Sequence, residues 1–138
     1  MAPLKQKGDL AELAVALDLR RRGYRIAFPY GEDSDYDLVV DRHGRLERVQ
    51  VKHTRSDGAI IEVRCRSHSL TNGRIRTIKR YTAATIDWLA VYDVTTVRCY
   101  YLPAALLGTG RAQLNLRLTP ARNHQVRGVH MAVDFLEL

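Results

Sequence analysis

The stretch that decides the fold is Asp35-Tyr36-Asp37-Leu38-Val39-Val40-Asp41, then Arg42-His43-Gly44-Arg45, then Leu46-Glu47-Arg48-Val49-Gln50-Val51-Lys52-His53. Two apolar-rich runs flank a His-Gly pair, the sequence form of a β-hairpin whose glycine supplies the positive φ of a two-residue turn. With His43 and Gly44 as the turn, Arg42 pairs with Arg45, and counting outward sets Asp37 opposite Gln50 and Asp35 opposite Lys52. Directly opposed residues point to the same face with Cβ atoms roughly 4.5 to 5.5 Å apart. Asp37 and Gln50 can then offer oxygens to one small cation at about 2.1 Å from each. Lys52, two residues beyond Gln50, projects from the same face. An acid, a second oxygen ligand and a cation therefore converge near the open end of the hairpin, provided the register does not slip by one residue.

Upstream, the loop Pro29-Tyr30-Gly31-Glu32-Asp33-Ser34 carries acids that, with Asp35 and Asp37, either cap a turn or recruit a divalent cation. Tyr24 to Phe28 alternates between Gly23 and Pro29 and reads as a short strand. Before it, Leu10, Leu13, Ala14 and Leu17 recur at helical spacing within Lys7 to Arg22, with Gly23 as the C-terminal cap. Arg20, Arg21 and Arg22 either complement the negative end of that helix or contact DNA. Glu12 lies one residue short of the apolar stripe. A carboxylate there either faces the sheet edge or is solvated and pairs with a neighbour such as Lys5 or Lys7.

Downstream, Ser56-Asp57-Gly58 predicts a turn, and Ala59 to Arg66 a third antiparallel strand, with Ile61, Val63 and Cys65 on one face and Ile60, Glu62, Arg64 and Arg66 on the other. Between Arg64 and Arg80 the chain carries Arg64, Arg66, Arg74, Arg76, Lys79 and Arg80 with no acid, around a turn at Leu70-Thr71-Asn72-Gly73. Such a segment is either a solvated loop or a loop that tracks phosphates, for which hydroxyls and amides among arginines are suited. A helical turn near Thr82 to Thr85 leads to strands at Trp88 to Tyr92 and Val97 to Leu102. Pro103 then opens a short helix ending near Gly108. From Thr109 onward the chain predicts a cover for a sheet edge or a subunit contact, with no repeat or linker.

A chain of 138 residues suits one domain, residues 1–138. Its formal charge of +7 favours a polyanionic partner. Arginine outnumbers lysine, which fits either bidentate phosphate contacts or a GC-rich coding sequence. Cys65 and Cys99 sit in apolar runs without Cys-x-x-Cys spacing, as buried thiols of a reducing compartment do. The first residues predict neither a signal peptide nor a membrane span, so an intracellular, nucleoid-associated protein is expected.

There is no Gly-rich phosphate loop, no Gly-x-Ser-x-Gly elbow and no His-Glu-x-x-His pair. His53 follows Lys52 and points to the opposite sheet face. The face of Asp37, Gln50 and Lys52 is the constellation with mechanistic content. Phosphodiester hydrolysis needs a metal to neutralise the phosphate and a cation near the developing charge.

A helix bearing Glu12, then Asp37 at the start of a strand, then Gln50-Val51-Lys52 in its partner resembles the PD-(D/E)XK nuclease superfamily. Tyr36-Asp37-Leu38-Val39-Val40, Gln50-Val51-Lys52, Ile86-Asp87-Trp88-Leu89-Ala90-Val91-Tyr92 and Tyr100-Tyr101-Leu102-Pro103 are similar, more narrowly, to group I intron-associated homing endonucleases. The resemblance implies an α/β fold with a restriction-endonuclease-like core: a central mixed sheet, an N-terminal helix, and short flanking helices near Thr82 and Ala104. It also implies a Mg2+-dependent endonuclease of double-stranded DNA, with Mn2+ as substitute. Glu12, Asp37, Gln50 and Lys52 would form its active site, the first three holding the metal. The superfamily carries an acid where this chain has Gln50, whereas homing members are similar in carrying glutamine. Archaeal Holliday junction resolvases share the helix glutamate and the core, so a junction nuclease is the alternative, beside a DNA-binding module without catalysis. A homing enzyme reading a long site needs more surface than one small domain, so a homodimer or homotetramer is expected.

Overall fold

Helix α1 runs from Leu4 to Arg21 in the computed structural model, which describes residues 4–31, 33–71 and 74–138, without the side chains of Leu4 and residues 68–77. Gly23, at φ +89°, closes it. Its N–H donates to Arg20 O (3.0 Å) and that of Tyr24 to Leu19 O (3.1 Å), the two bonds of a Schellman cap.

The face α1 buries is not the expected one. Leu10, Leu13 and Leu17 are 49%, 67% and 51% exposed, while Ala11, Val15, Ala16 and Leu19 are buried. Two stripes of helical spacing overlap in this sequence, and the narrower one packs because alanines let the helix axis approach the sheet closely. The correction turns Glu12, one helical turn before Ala16, onto the flank of the packed face.

The described strands are β1 (Arg25–Ala27), β2 (Leu38–Arg42), β3 (Arg45–Thr54), β4 (Ile60–Arg64), β5 (Arg66–Thr71), β6 (Arg74–Arg80), β7 (Trp88–Asp93), β8 (Arg98–Pro103), β9 (Gln113–Arg117) and β10 (His130–Met131). The central sheet has the order β1-β2-β3-β7-β8. It is mixed: β3 and β7 run parallel and the other neighbours antiparallel. The hairpin has the expected turn, with His43 at φ +57° and Gly44 at φ +82°, and Arg42 pairs with Arg45.

The third strand is a correction. Residues 60–64 do not continue an antiparallel meander beside β3. They join β9 and β10 in a separate three-stranded sheet, and β7 takes the place beside β3. The reason lies in the two sequences. The run Leu89-Ala90-Val91 is buried on both faces and suits the sheet interior, whereas β4 alternates buried Ile61 and Val63 with exposed Glu62 and Arg64 and suits a sheet with one wet face.

The segment from Arg66 to Arg80 is likewise not a loop. It forms an antiparallel two-stranded ribbon, β5–β6. Asn72 and Gly73 of the expected turn lie outside the described residues. Residues 82–86 make a hydrogen-bonded turn on Thr82 O. Ala104–Leu107 and Ala132–Phe135 are 3-10 turns.

Two apolar clusters sandwich the central sheet. Ala11, Val15 and Leu19 of α1 meet Leu38, Val40, Val49, Val51, Ala90 and Tyr101. On the other face Leu89, Val91, Tyr100 and Leu102 meet Ile61, Val63, Leu114 and Leu116 of the second sheet. Cys65 and Cys99 are free buried thiols.

Candidate active site

Because Val49 and Val51 pack under α1, alternation sends Gln50 and Lys52 to the opposite face of β3. The β2–β3 ladder ends at Leu38 and Val49, one residue before the expected opposition of Asp37 and Gln50. At Asp37 the pattern changes. Its N–H donates to Val49 O (2.9 Å), and its carboxylate, through Oδ2, accepts the N–H of Val51 (2.8 Å). The carboxylate is thereby fixed at the main chain between Gln50 and Lys52. It stands just before the first paired residue of β2, at the end of the β2–β3 ladder.

Glu12 reaches it from the helix side. Burial, the charge of Asp37 and a hydrogen-bonding contact with the Asp37 carboxyl raise the Glu12 pKa to about 7, with Asp9 adding to the effect. Two carboxyls so placed disfavour double ionisation, and a bound divalent cation relieves that repulsion. Of the two sequence readings of Glu12, pairing with Lys5 or Lys7 or facing the sheet edge, the geometry supports the second.

Gln50 is 7% exposed and lies on β3 directly before Val51, whose N–H holds Asp37. Its Nε2 donates to Val51 O (3.4 Å), and since a carbonyl only accepts, the side-chain oxygen is left as the group available to a ligand. Two carboxylates and an amide oxygen are a hard-oxygen donor set, which fits Mg2+ or Mn2+ rather than a softer metal.

Lys52 projects from the face it shares with Gln50, opposite α1. Its Nζ donates to Ser67 Oγ (2.7 Å) and to Arg66 O (3.2 Å) and lies 5.2 Å from the centroid of the Tyr81 ring. Burial lowers its pKa below the usual lysine range, Asp37 counteracts, and Arg64 presses in the same direction as burial. Asp35, expected opposite Lys52, instead forms an ion pair with Lys79 (3.4 Å). The ladder has ended there and the chain has turned toward the ribbon.

The six basic residues of the segment are placed differently. Arg64 and Arg80 are exposed. Arg66 is committed to Gly110 O through Nη2 (3.1 Å) and Nε (3.4 Å), and Lys79 donates to Asp33 O and Ser34 O besides its ion pair. Arg74 and Arg76 lie on β6, with side chains outside the described residues. Sequence reasoning missed Ser67 and Tyr81 as groups around Lys52. No local pattern marks them, because they meet it only through the pairing of β5 with β6.

A family model described as PD-(D/E)XK endonuclease matches residues 3–138. The chain belongs to the PD-(D/E)XK endonuclease family. Its activity class is that of a nuclease, and nucleases of this family generally use divalent metals. The fold is shared with a solved structure titled as a bacterial homing endonuclease, I-Ssp6803I. The TM-score is 0.76 at 24% identity, covering 97% of this chain and 88% of that one. No curated protein matches the chain. Among the described residues of this PD-(D/E)XK chain no helix is long and apolar enough to cross a membrane.

Proposed function

We propose that residues 1–138 act as one nuclease domain that hydrolyses phosphodiester bonds of double-stranded DNA with Mg2+, Mn2+ substituting, in the manner of a homing endonuclease. The observation that carries this reading is the Asp37 carboxylate held on the Val51 N–H, with Glu12 close enough to feel its charge, beside the half-buried Lys52. Glu12, Asp37 and the Gln50 oxygen would hold the metal. When bound, it supplies charge for the scissile phosphate and lowers the pKa of water.

The chain's own groups do the rest. Asp37 stays oriented by Val51 N–H. Lys52 has three donors, of which Ser67 and Arg66 O take two, leaving one for a phosphate oxygen. The exposed Arg64 and Arg80, with Arg74, Arg76, Lys79 and Arg66 along the ribbon, would supply the positive field that draws DNA. A DNA substrate accords with the formal charge of +7, and an intracellular location is proposed with it.

Supercoiled plasmid with Mg2+ tests the reading. Wild type is expected to nick or linearise it. Lys52→Ala and Asp37→Asn are expected to lose at least about 100-fold in rate while still retarding DNA. Asparagine keeps an oxygen for Val51 N–H, so its loss reports the charge and not the fold. Cleavage by both variants at the wild-type rate would remove the proposal.

The assembly we propose is a homodimer or homotetramer. Leu10, Leu13 and Leu17 line up on the open face of α1, and a groove beside them mixes apolar Ala14, Tyr92, Val97 and Leu136 with charged Asp18, Arg21, Arg22, Arg98 and Glu137. Monomer mass by sedimentation equilibrium would overturn it, and Leu13→Glu is expected to shift a wild-type oligomer toward monomer.

A further inference from the structure

The ribbon β5–β6 meets the rest of the chain at its open end, next to Lys52. Ser67 belongs to β5, and Tyr81 follows the last residue of β6. Pairing of Arg66 with Arg80 and of Ser67 with Lys79 brings these two hydroxyls together, 2.6 Å apart. Lys52 Nζ donates to the Ser67 hydroxyl at 2.7 Å and lies over the Tyr81 ring. An ammonium donates only, so Ser67 Oγ must accept from Lys52 and share its remaining hydrogen-bonding capacity with Tyr81.

The same end of the ribbon is strapped to two other segments of the chain. Lys79 bonds the loop before Asp37, through the Asp35 carboxylate and the carbonyls of Asp33 and Ser34. Arg66 bonds Gly110 O, and the stem of Arg80 packs on Gly110, whose added Cβ would meet Arg80 Cβ at 3.0 Å. Tyr81 is 3% exposed, and its hydroxyl lies in the field of Asp37 and Asp35.

We propose that Ser67 and Tyr81 are positioning residues that fix the direction of the Lys52 ammonium, so that the basic ribbon and the cleavage site form one mechanical unit. This rests on the reading of Lys52 as the cation of the site. Long lysine side chains have many rotamers, and a site group is useful only when its own rotamer is locked by surrounding contacts. Here two donors of the ammonium and one face of its charge are held by the anchored end of the ribbon, and β6 carries Arg74 and Arg76 farther along it. DNA seated on the ribbon would thus find the lysine already aimed. Ser67 and Tyr81 touch neither substrate nor metal in this scheme, and they act through Lys52.

The test is single-turnover cleavage of a linear duplex with Mg2+, alongside the DNA Kd and the thermal midpoint, for Tyr81→Phe, Ser67→Ala, Ser67→Thr and Lys52→Ala. Tyr81→Phe and Ser67→Ala are expected to slow cleavage by about 10- to 100-fold, the usual size for losing an outer hydrogen-bond partner of a site group. Their Kd is expected to stay within about twofold of wild type, and Ser67→Thr, which keeps the hydroxyl, to restore most of the rate. If Lys52→Ala is inactive and the hydroxyl variants cleave as wild type does, the positioning role is wrong. Slower cleavage matched by an equal loss of affinity or by a collapsed midpoint also overturns it, because the hydroxyls would then be holding the fold. Undiminished cleavage by Lys52→Ala is a different result: it removes the underlying reading of the lysine.

Discussion

The molecule contains two hairpins of opposite character. The β2–β3 hairpin is embedded: β1 flanks one edge and β7 the other, α1 covers a face, and Leu38, Val40 and Val49 are buried beneath it. The β5–β6 ribbon forms a two-stranded sheet of its own, tied to its surroundings through the polar contacts of Arg66, Ser67, Lys79 and Tyr81. A two-stranded hairpin is marginal alone in water. The first hairpin is therefore a frame, held by burial and by neighbours on both edges. The second is an attachment held by a few directed bonds, and the candidate site lies where the attachment meets the frame.

Breaking the frame should cost most. Leu38 is fully buried, and Leu38→Ala is expected to lower stability by about 2–5 kcal/mol, read as a shift of the urea midpoint with unchanged m-value. A loss within the surface range would contradict the assignment of this hairpin as the frame.

The site at the junction gives the intermediate effect, through pH. The pKa of Glu12 is raised from 4.5 to about 7 in the folded chain. Its contribution to stability is thus fully present below its ordinary value and is lost as pH rises through about 7. Without divalent metal, Glu12→Gln is expected to have a higher thermal midpoint than wild type at pH 8 and a smaller advantage at pH 5. Adding Mg2+ should raise the wild-type midpoint at pH 8 more than that of the variant, since an ion that binds only the folded state stabilises it. Equal Mg2+ responses would separate Glu12 from the metal.

Loosening the attachment should cost least. Lys79 and Asp35 are 38% and 45% exposed, and ion pairs so exposed are worth about 0–1 kcal/mol. Lys79→Ala is expected to leave the global midpoint nearly unchanged while increasing hydrogen exchange of β5 and β6 amides relative to β2 and β3. Uniform exchange across both hairpins would erase the contrast between them.

The frame was legible in the sequence because its signals are local. A His-Gly turn and two β-rich runs set the pairing of Arg42 with Arg45, and the ladder kept that register down to Leu38 and Val49. The Schellman glycine at Gly23 ended the helix as expected. The helix face was misread because the leucines look like the stronger stripe, although the alanines pack closer. Glu12 was ambiguous for the same reason: its direction depends on which stripe meets the sheet. The place of β4 and the ribbon pairing were not legible, since alternation shows that a strand has a buried face but not which strand covers it.

The sequence by itself determined the hairpin turn, the helix cap, the placing of Gln50 and Lys52 on one face of β3, and the positive charge, since each depends on residues close together in the chain or on composition. Only the tertiary structure decided that Glu12 faces Asp37, that β7 rather than β4 flanks β3, and that Ser67 and Tyr81 hold Lys52. Those contacts join residues distant in sequence, and they exist because competing apolar faces were buried in one particular arrangement rather than another.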